Sequence, residues 1–320
     1  MTVTELYLIQ ALNQKYKASN NEPFVVAVLA DKTGTLEANV WNHTLDDAGT
    51  CLGMKAGAVY EVSIQVSEYK EKLSGKLNGF SHPKIKFDEK DFFKTSDYDP
   101  EQMWTDFQKY LTGFESETFK SVAASLFDAE STELFRKAPA ATGMHHAFLH
   151  GLLEHTLQML QICEKLLEFP FFKKPLNKDL CMFGVMFHDF GKIYEYSTEP
   201  GFKKRLQGIL VGHIPMVAAR ILETCNKLGV PEEVRDHMMH VVLSHHRFKR
   251  WGSPMTFACP EAAFIHYIDN LHGDVFGIIQ KRETATNDTV VYGFDEDRTT
   301  ILKTPFNDVM KAVEGIPDGF

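Results

Sequence analysis

The sequence lacks the features that mark membrane, secreted and disulfide-rich proteins. It contains no stretch near the roughly 18 uninterrupted apolar residues that a membrane span needs. Its first residues, MTVTELYLIQ, lack the basic start and sustained apolar run of a secretion signal. The five cysteines are scattered and form no CxxC pair, so the sequence predicts neither a disulfide framework nor a thiolate zinc site. We therefore expect a cytoplasmic globular protein that makes no membrane contact.

An excess of basic residues is also missing, because the formal net charge is −9. Proteins that coat nucleic acid by bulk electrostatic attraction usually carry a basic excess. The charge therefore argues against that class, although it is compatible with a local basic groove. The hydrophobic content of 44% in 320 residues is enough for the packed cores of one large domain or two modest ones.

Short β-rich segments fill about the first 90 residues. From Phe24, two runs rich in β-branched residues flank the turn Asp31–Gly34 in FVVAVLADKTGTLEANVW, which predicts a hairpin. A third run covers Ala58–Val66, and the segment Glu68–Phe87 follows it. This pattern predicts a small antiparallel β-barrel, with the five-stranded OB type as the candidate.

Lysines alternate with aromatic residues in the last of these segments. The aromatic residues are Tyr69, Phe80 and Phe87. Because bases stack on rings while lysines follow phosphates, Lys70, Lys72 and Lys76 are candidate contacts to a single strand. The alternative is a solvated strand face whose aromatic residues lie in the core, and the sequence leaves both readings open.

Helical periodicity replaces strand alternation after a charged passage, DEKDFFKTSDYDP, that is typical of a linker. We predict amphipathic helices at Met103–Tyr110 and Thr118–Phe127, and a break at Pro139. Beyond Asn270 the helical pattern weakens.

The end of the chain is predicted to hold a short hairpin within Thr286–Ile301 and a helix around Phe306–Val313. The predicted domains are an OB-like nucleic-acid-binding barrel at 1–90, a helical linker region at 91–138 and an all-α domain with a C-terminal tail at 139–320.

Four predicted helices carry metal-competent side chains on or beside their apolar stripes. These residues are His155, His188, Asp189, His245, His246 and Asp269. A single inward histidine is more often structural than a ligand, but a carboxylate such as Asp189 or Asp269 is costly there unless a cation or donors compensate it. Imidazole and carboxylate without thiolate suit Mn²⁺, Fe²⁺, Zn²⁺ or Mg²⁺ rather than a structural zinc site. The number of ligands exceeds the needs of one ion, and two ions bridged by Asp189 would account for it.

The ordered motifs GLLEHT, HDFGK, GH, LSHH and IHYIDN resemble the HD superfamily of phosphohydrolases in its two-metal form. More narrowly, the passages APAATGMHHAFLHGLLEHT, LSHHRFKRWGSP and IHYIDNL, with the OB-like start, resemble the YhaM-type 3′-to-5′ exoribonucleases of Gram-positive bacteria. The resemblance covers roughly Phe24–Leu271, and the ordered set is far more specific than the HD dipeptide alone. It implies that the helical domain at 139–320 is an HD domain.

The resemblance also implies an allocation of ligands to two ions. One ion would be held by His155, His188, Asp189 and Asp269, and the second by Asp189, His213, His245 and His246. Lys192, in HDFGK, would steady the phosphate or the charge that develops in the transition state, and the alternative is a solvated lysine at a helix C-terminus. Two divalent ions are the expected cofactors, with manganese first and iron, magnesium, zinc or cobalt as alternatives.

Six residues near the motifs are candidate substrate contacts: His145, His146, Arg247, Lys249, Arg250 and Trp251. The two neighbouring histidines match a pair in the family pattern, and they either contact phosphate or support a helix start. The basic run after LSHH would attract a nucleic-acid backbone, unless it is solvated surface. The tryptophan closes one wall of the cleft, stacks on a base or is simply buried.

The chain departs from the family pattern in three places. The residues after LSHH are bulkier and more basic than expected, His272 stands where the family usually has an acidic residue, and the tail after Gln280 matches poorly. These departures leave the predicted metal ligands in place, but they leave open the choice between RNA and single-stranded DNA.

Three functions stay open at this point. The resemblance and the barrel favour a metal-dependent 3′-to-5′ exonuclease that acts on single-stranded RNA or DNA and releases nucleoside 5′-monophosphates by two-metal hydrolysis. An HD-type phosphodiesterase of cyclic dinucleotides or other nucleotides is the alternative enzyme, and the absence of a GYP motif argues against it. A non-catalytic single-strand-binding protein is the third option, and the complete ligand set argues against it. The resemblance is compatible with a homo-oligomer.

Overall fold

The structure is a computed structural model that describes residues 1–69, 72–141, 146–198, 202–283, 285–293, 298–306 and 308. Its strands are β1 (Thr2–Tyr16), β2 (Pro23–Asp31), β3 (Gly34–Trp41), β4 (Val59–Tyr69), β5 (Lys72–Ser81), β6 (Thr289–Tyr292) and β7 (Thr299–Leu302). Its helices are α1 (Pro100–Thr112), α2 (Glu117–Leu126), α3 (Ala129–Lys137), α4 (Gly151–Leu167), α5 (Pro170–Lys173), α6 (Lys178–Phe187), α7 (Lys192–Glu195), α8 (Leu206–Leu210), α9 (His213–Leu228), α10 (Glu232–Leu243) and α11 (Pro260–Glu283). Within the described residues, none of these helices combines the length and the apolar character of a membrane span.

Strands β1 to β5 close into a barrel in the order β1-β2-β3-β5-β4. Neighbouring strands pair antiparallel, except that β3 and β5 run parallel over the pairs Ala38–Gly75 and Asn39–Lys76. The predicted hairpin is formed by β2 and β3, which pair along their whole length. The prediction of a small OB-like barrel followed by a helical domain is therefore confirmed.

Strand β1 is the one barrel strand that the sequence pattern did not reveal. Its register against β2 shifts between Ile9 and Ala11, which is a β-bulge. Leu8 and Ile9, although adjacent, are both buried, because Ile9 faces the barrel core while Leu8 packs in a separate cluster with Ala30 and Val59. The bulge breaks the strict alternation of apolar and polar residues on which sequence-based recognition of a strand depends.

The helical domain has one continuous apolar core, to which α1, α2, α4, α6, α9, α10 and α11 contribute. Helices α1 and α2 cover the two segments predicted to be helical. Helix α6 packs closely on α11 at Gly184, where an added Cβ would lie 2.1 Å from Cδ1 of Ile265. This close approach brings the C-terminal end of α6 next to the middle of α11.

The C-terminal part differs in one respect from the prediction. Helix α11 continues to Glu283, well beyond Asn270. The amphipathic pattern weakens in this part because Leu271, Val275 and Ile279 are apolar but lie exposed on the outer face of the helix. The predicted hairpin is present as the antiparallel pair β6 and β7. The predicted final helix lies largely outside the described residues, and the domain limits at residues 90 and 138 stay predictions.

Candidate metal centre

The metal-competent side chains predicted from the sequence converge at one place in the helical domain. They come from α4 (His155), the C-terminal end of α6 (His188 and Asp189), the start of α9 (His213), the turn after α10 (His245 and His246) and α11 (Asp269). His155, His188, Asp189 and His245 are almost completely buried. The structure therefore brings together residues that are far apart along the chain.

Asp189 lies between two groups of histidines. Its Oδ2 atom is 3.3 Å from Nε2 of His188 and 3.8 Å from Nε2 of His155. Its Oδ1 atom is 3.4 Å from Nε2 of His213 and 3.8 Å from Nε2 of His245. The two oxygens of one carboxylate thus face different histidines, as the predicted bridging role would require.

Each group is compact enough for one ion. The ligand atoms of Asp189, His213, His245 and His246 lie within 4.8 Å of one another, as do those of His155, His188 and Asp189. Asp269 completes the latter group, because its Oδ1 atom is 3.4 Å from Nε2 of His155 and 3.8 Å from Nε2 of His188.

Three buried atoms of this cluster have no hydrogen-bond partner among the residues that the structure describes: Oδ1 of Asp189, Nε2 of His213 and Nε2 of His245. Buried polar atoms normally have a partner, since leaving one unpaired costs free energy. Converging imidazole nitrogens and carboxylate oxygens are satisfied by a divalent cation. The donor set therefore fits the metal chemistry predicted from the sequence.

The opposite ring nitrogen of most of these histidines is held by an acceptor. Nδ1 of His188 lies 2.8 Å from the carbonyl oxygen of Val185, Nδ1 of His245 lies 2.6 Å from that of Val242, and Nδ1 of His246 lies 2.6 Å from that of Trp251. A carbonyl oxygen only accepts, so the proton of a neutral ring lies on Nδ1 and the lone pair on Nε2. The rings are thus oriented to bind a metal through Nε2.

Glu195 holds the ring of His213 in the same way, by accepting from Nδ1. Its Oε2 atom is 2.6 Å from Nδ1 of His213 and accepts the backbone N–H of the same residue at 3.0 Å. Its Oε1 atom lies 2.6 Å from Nζ of Lys204. Burial would raise the pKa of Glu195, but the hydrogen bonds from His213 and Lys204 lower it from 4.5 to about 2. Glu195 was not predicted from the sequence, because no local pattern connects it with His213 across 18 positions.

A glycine fixes how closely the chain passes behind His213. A Cβ atom at Gly191, in HDFGK, would lie 2.1 Å from the carbonyl oxygen of His213. Because a backbone oxygen cannot yield like the end of a flexible side chain, this position requires glycine. The motif thus contributes both a candidate ligand, Asp189, and the space for a second candidate, His213.

Burial keeps several of the histidines neutral, which is the form that binds metals. It lowers the pKa of His155 and His245 well below the ordinary value of 6.5, and that of His246 to about 4. For Asp189 burial raises the pKa, but the charge of Lys192, together with the charges and hydrogen bond of His188 and His213, outweighs burial and holds the pKa well below 3.8. The site therefore presents three neutral imidazoles beside an ionised carboxylate, whereas the pKa of His188 is raised because the charges of Asp189 and Asp269 and the hydrogen bond to Asp189 outweigh burial.

Lys192 lies at the metal centre itself. Its Nζ atom is 2.5 Å from Oδ2 of Asp189, and its side chain is 12% exposed. These surroundings differ from those of a solvated lysine at a helix end, which was the alternative interpretation.

The two neighbouring histidines have different outcomes. His145 lies outside the described residues. The ring of His146 is completely buried, stacks on Phe276 with centroids 3.7 Å apart, and lies 3.5 Å from the Glu154 carboxylate. These contacts are typical of a structural residue, and a contact of His146 with phosphate stays a prediction.

The other candidates follow the histidine pair in the turn after α10: Arg247, Lys249, Arg250 and Trp251. Arg247 stacks on Phe248, with its guanidinium 4.8 Å from the ring centroid, and donates to Oη of Tyr267 at 3.2 Å. The lysine and the second arginine are exposed. Trp251 is 39% exposed, so its ring is not simply buried, while its carbonyl oxygen holds His246. The turn thus connects a basic surface directly to a metal-competent histidine.

In the barrel, the predicted lysine and aromatic run is only partly described. Lys70 and the side chain of Lys72 lie outside the described residues, whereas Lys76 is exposed. Phe80 packs on the barrel core, and Phe87 packs on Phe92. These two rings therefore match the alternative in which the aromatic residues of the run lie in the core.

An exposed aromatic surface occurs at a different place on the barrel, which the sequence analysis missed. Trp41 and Tyr16 are 37% and 57% exposed, and the Trp41 ring lies 4.6 Å from that of Phe24. Nζ of Lys17 lies 5.6 Å from the Trp41 ring centroid. Two concave surfaces of about 450 and 690 Å³ meet at Trp41, the first also lined by Lys76 and the second by Tyr16 and Lys17.

Comparisons with known proteins agree with this architecture. The HD domain family matches residues 152–274. The chain is 32% identical over 270 residues to the 3'-5' exoribonuclease YhaM of Geobacillus sp. (strain WCH70), and this alignment covers 83% of this chain and 81% of the relative. It is 32% identical over 271 residues to the YhaM of Halalkalibacterium halodurans, and this alignment covers 83% of this chain and 82% of the relative. It is 29% identical over 270 residues to the YhaM of Bacillus subtilis (strain 168), which covers 83% of each chain. No solved structure matches the chain at a significant level.

The similarity to these relatives extends beyond the helical domain into at least part of the barrel, because 270 aligned residues cannot fit within the residues that follow the barrel. The resemblance predicted from the sequence motifs is thereby confirmed, and with it the assignment to hydrolytic enzymes. The chain belongs to the YhaM family of HD-domain proteins.

Proposed function

We propose that this protein is a metal-dependent exonuclease that degrades single-stranded RNA from its 3′ end and releases nucleoside 5′-monophosphates. Single-stranded DNA is the alternative substrate of the same chemistry. The observation that carries the proposal is the position of Asp189, whose two carboxylate oxygens face two separate groups of histidines. The names of the relatives, 3'-5' exoribonuclease, supply the substrate and the polarity.

The metal ligands are assigned in two sets that share Asp189. The first set is His155, His188, Asp189 and Asp269, and the second is Asp189, His213, His245 and His246. Manganese is our first choice of metal, with iron, magnesium, zinc or cobalt as alternatives, because all accept imidazole and carboxylate ligands. When bound, two such ions stabilise the charge that develops on the phosphate and generate a strong nucleophile from water at neutral pH.

Lys192 is proposed to act on the phosphate. Its ammonium lies beside Oδ2 of Asp189, so a positive charge is already placed where the scissile phosphate would meet the ligands. The basic turn that contains Arg247 lies next to the same ligands and would guide the strand backbone towards them. We keep Arg247, Lys249, Arg250 and Trp251 as candidate substrate contacts.

The barrel is proposed to capture the strand on the surface around Trp41. Every base has a π-face, so an exposed indole binds bases without sequence preference, while lysines attract the phosphates. Trp41 and Tyr16 provide the exposed rings, and Lys17 and Lys76 provide the positive charges. Capture on the barrel then raises the local concentration of strand ends for the helical domain.

The activity is tested by incubating the purified protein with end-labelled single-stranded RNA, end-labelled single-stranded DNA and a cyclic dinucleotide, each with Mn²⁺ or with a chelator. We expect Mn²⁺-dependent shortening of RNA from the 3′ end and release of nucleoside 5′-monophosphates. Cleavage of the cyclic dinucleotide alone would contradict the exonuclease assignment. Tight strand binding without hydrolysis would contradict catalysis altogether.

The shared ligand is tested by Asp189→Ala. We expect hydrolysis to fall below detection while strand binding changes little, because the barrel is untouched. The matched control is Asp236→Ala, which removes a carboxylate that is 57% exposed on α10 and should keep full activity. Hydrolysis by Asp189→Ala at the wild-type rate would refute the bridging role.

The capture surface is tested by Trp41→Ala. Loss of one stacking contact costs about 1–3 kcal/mol, so the KM for a long RNA should rise about 5–150-fold, while hydrolysis of a dinucleotide too short to span both domains stays unchanged. Phe171→Ala, which removes a ring that is 80% exposed on α5, is the control for a surface aromatic residue. An unchanged KM for the long RNA would place strand capture elsewhere.

A further inference from the structure

A chain of hydrogen bonds leads from a buried carboxylate to one of the proposed metal ligands. It runs from Glu154 through Gln158 and His272 to His155. We propose that His272, itself oriented by Gln158, is a positioning residue that keeps the proton of His155 on Nδ1 and directs the Nε2 lone pair at the metal centre. The inference rests on the proposed function only in taking His155 as a metal ligand.

The direction of the chain is set at Glu154. This residue is 3% exposed, and its Oε1 atom lies 3.2 Å from Nε2 of Gln158. A carboxylate oxygen accepts, so the amide NH₂ of Gln158 must face it. The amide oxygen of Gln158 is therefore the atom that faces His272.

The same reasoning fixes the two rings. Oε1 of Gln158 lies 2.7 Å from Nε2 of His272 and has no hydrogen, so Nε2 of a neutral His272 carries its proton and Nδ1 accepts. That Nδ1 atom is 3.0 Å from Nδ1 of His155, which must therefore donate. Nε2 of His155 then carries a lone pair, and it points towards Oδ1 of Asp269 at 3.4 Å and Nε2 of His188 at 3.3 Å. A cation is the group that satisfies three such acceptors.

His155 is held differently from the other proposed histidine ligands. Those rings donate to main-chain carbonyl oxygens or to the Glu195 carboxylate, both of which can only accept. An imidazole can either donate or accept, so His272 specifies the tautomer of His155 only because Gln158 specifies its own. Gln158 is therefore required for His272 to fix the tautomer of His155.

The positions of these residues connect two helices. His155 and Gln158 lie three residues apart on α4, and Asp269 and His272 lie three residues apart on α11, so each pair shares a helix face. The two faces meet across the metal centre. Helix α4 thus contributes the proposed ligand His155 and the supporting residue Gln158. Helix α11 contributes the proposed ligand Asp269 and the supporting residue His272.

The experiment compares His272→Ala, His272→Asn and Gln158→Leu with the wild-type protein. Asparagine retains an acceptor, Oδ1, near the position of the His272 Nδ1 atom, whereas alanine removes it. The matched control is Gln161→Leu, which replaces an exposed glutamine of the same helix. Melting temperatures identify any variant that fails to fold.

The first readout is the affinity for Mn²⁺, measured by competition with a chelator. Loss of a group that supports a metal ligand typically lowers affinity about 10–100-fold, and we expect this for His272→Ala. Gln158→Leu should lose part of that affinity, because the tautomer of His272 is no longer fixed, while His272→Asn and Gln161→Leu should stay close to wild type. Wild-type affinity in His272→Ala would overturn the inference, as would an equal loss in His272→Asn.

The second readout is the ¹⁵N chemical shift of the His155 ring in metal-free protein. We expect a protonated Nδ1 and an unprotonated Nε2 in the wild type, and a mixture of tautomers in His272→Ala. A proton on Nε2 in the wild type would overturn the inference. This measurement needs no bound ion. A wild-type protein that failed to bind Mn²⁺ would therefore contradict the proposed function, whereas the role of His272 would still be decided by the tautomer of His155.

Discussion

Replacing Glu195 by alanine tests how far the metal centre depends on the carboxylate behind His213. In the structure Glu195 accepts from both Nδ1 and the backbone N–H of His213, at 2.6 and 3.0 Å. Without this acceptor the imidazole of His213 is free to rotate and to carry its proton on Nε2. A protonated Nε2 cannot bind a metal, so the affinity for the ion that we propose His213 to share with Asp189 should fall.

The size of the effect follows from the bond that is lost. A hydrogen bond to a charged group contributes about 1.5–3 kcal/mol. At about 1.4 kcal/mol per factor of ten, this corresponds to a loss of roughly 10–150-fold in Mn²⁺ affinity. The backbone N–H of His213 also loses its acceptor, so the free energy of unfolding should fall by about 1–3 kcal/mol.

The assay is calorimetric titration of metal-stripped protein with Mn²⁺ at neutral pH. Glu195→Gln keeps an acceptor but loses the charge, so its affinity should lie between those of the wild type and Glu195→Ala. Lys204→Ala is the control, because the Lys204 side chain is 48% exposed and water can replace it. Wild-type affinity in Glu195→Ala would refute the reasoning, and so would an equal loss in Lys204→Ala.

Three further predictions concern space, metal and pH. Gly191→Ala places a Cβ 2.1 Å from the His213 carbonyl oxygen, so it should displace His213 and lower Mn²⁺ affinity in the same titration, and unchanged affinity would contradict the close contact. Mn²⁺ at about 100 times its Kd should raise the free energy of unfolding by about 2.7 kcal/mol in denaturant melts, and Asp189→Ala should lose this gain. Asp128→Ala removes the carboxylate that accepts the Ser131 N–H at 2.8 Å, and should cost about 1 kcal/mol of stability. Because that hydrogen bond lowers the pKa of Asp128 below 3.8 in the folded protein, the loss of stability in Asp128→Ala should be constant above pH 3.8 and should shrink as the pH falls through the folded pKa. A stability difference between the two proteins that increased in acid would contradict the capping role of Asp128.

The main architecture and the side chains that converge at the candidate metal centre could be predicted because both depend largely on patterns that the chain carries locally. His188 points inward since it continues the apolar spacing of α6, and Asp189 follows it directly. The order of the motifs supplied the remaining candidate ligands, including His213, which begins α9 beside a glycine rather than on an apolar stripe. Strand β1 escaped recognition because both of its faces are covered around Leu8 and Ile9, and because the bulge after Ile9 shifts the alternation of the residues that follow.

The supporting residues of the metal centre could not be predicted, because their roles depend on tertiary contacts alone. Gln158 meets His272 across 114 positions, and nothing in the neighbourhood of either residue signals the contact. Trp41 escaped attention for a related reason. It ends a strand that was recognised, but its exposure follows from closure of the barrel and not from the local sequence.

The barrel closes along one short seam, and this has a consequence for its fluctuations. Strands β3 and β5 share only the pairs Ala38–Gly75 and Asn39–Lys76, whereas the other neighbouring strands pair along most of their length. Transient opening costs least where few ladder hydrogen bonds break, so peptide amides at this seam should take up deuterium faster than those elsewhere in the barrel. Lys76 lies in the seam and Trp41 beside it, so an oligonucleotide stacked on Trp41 would span the two strands and slow the uptake. Isotope exchange at these few amides would thus report occupancy of the barrel without any label on the nucleic acid.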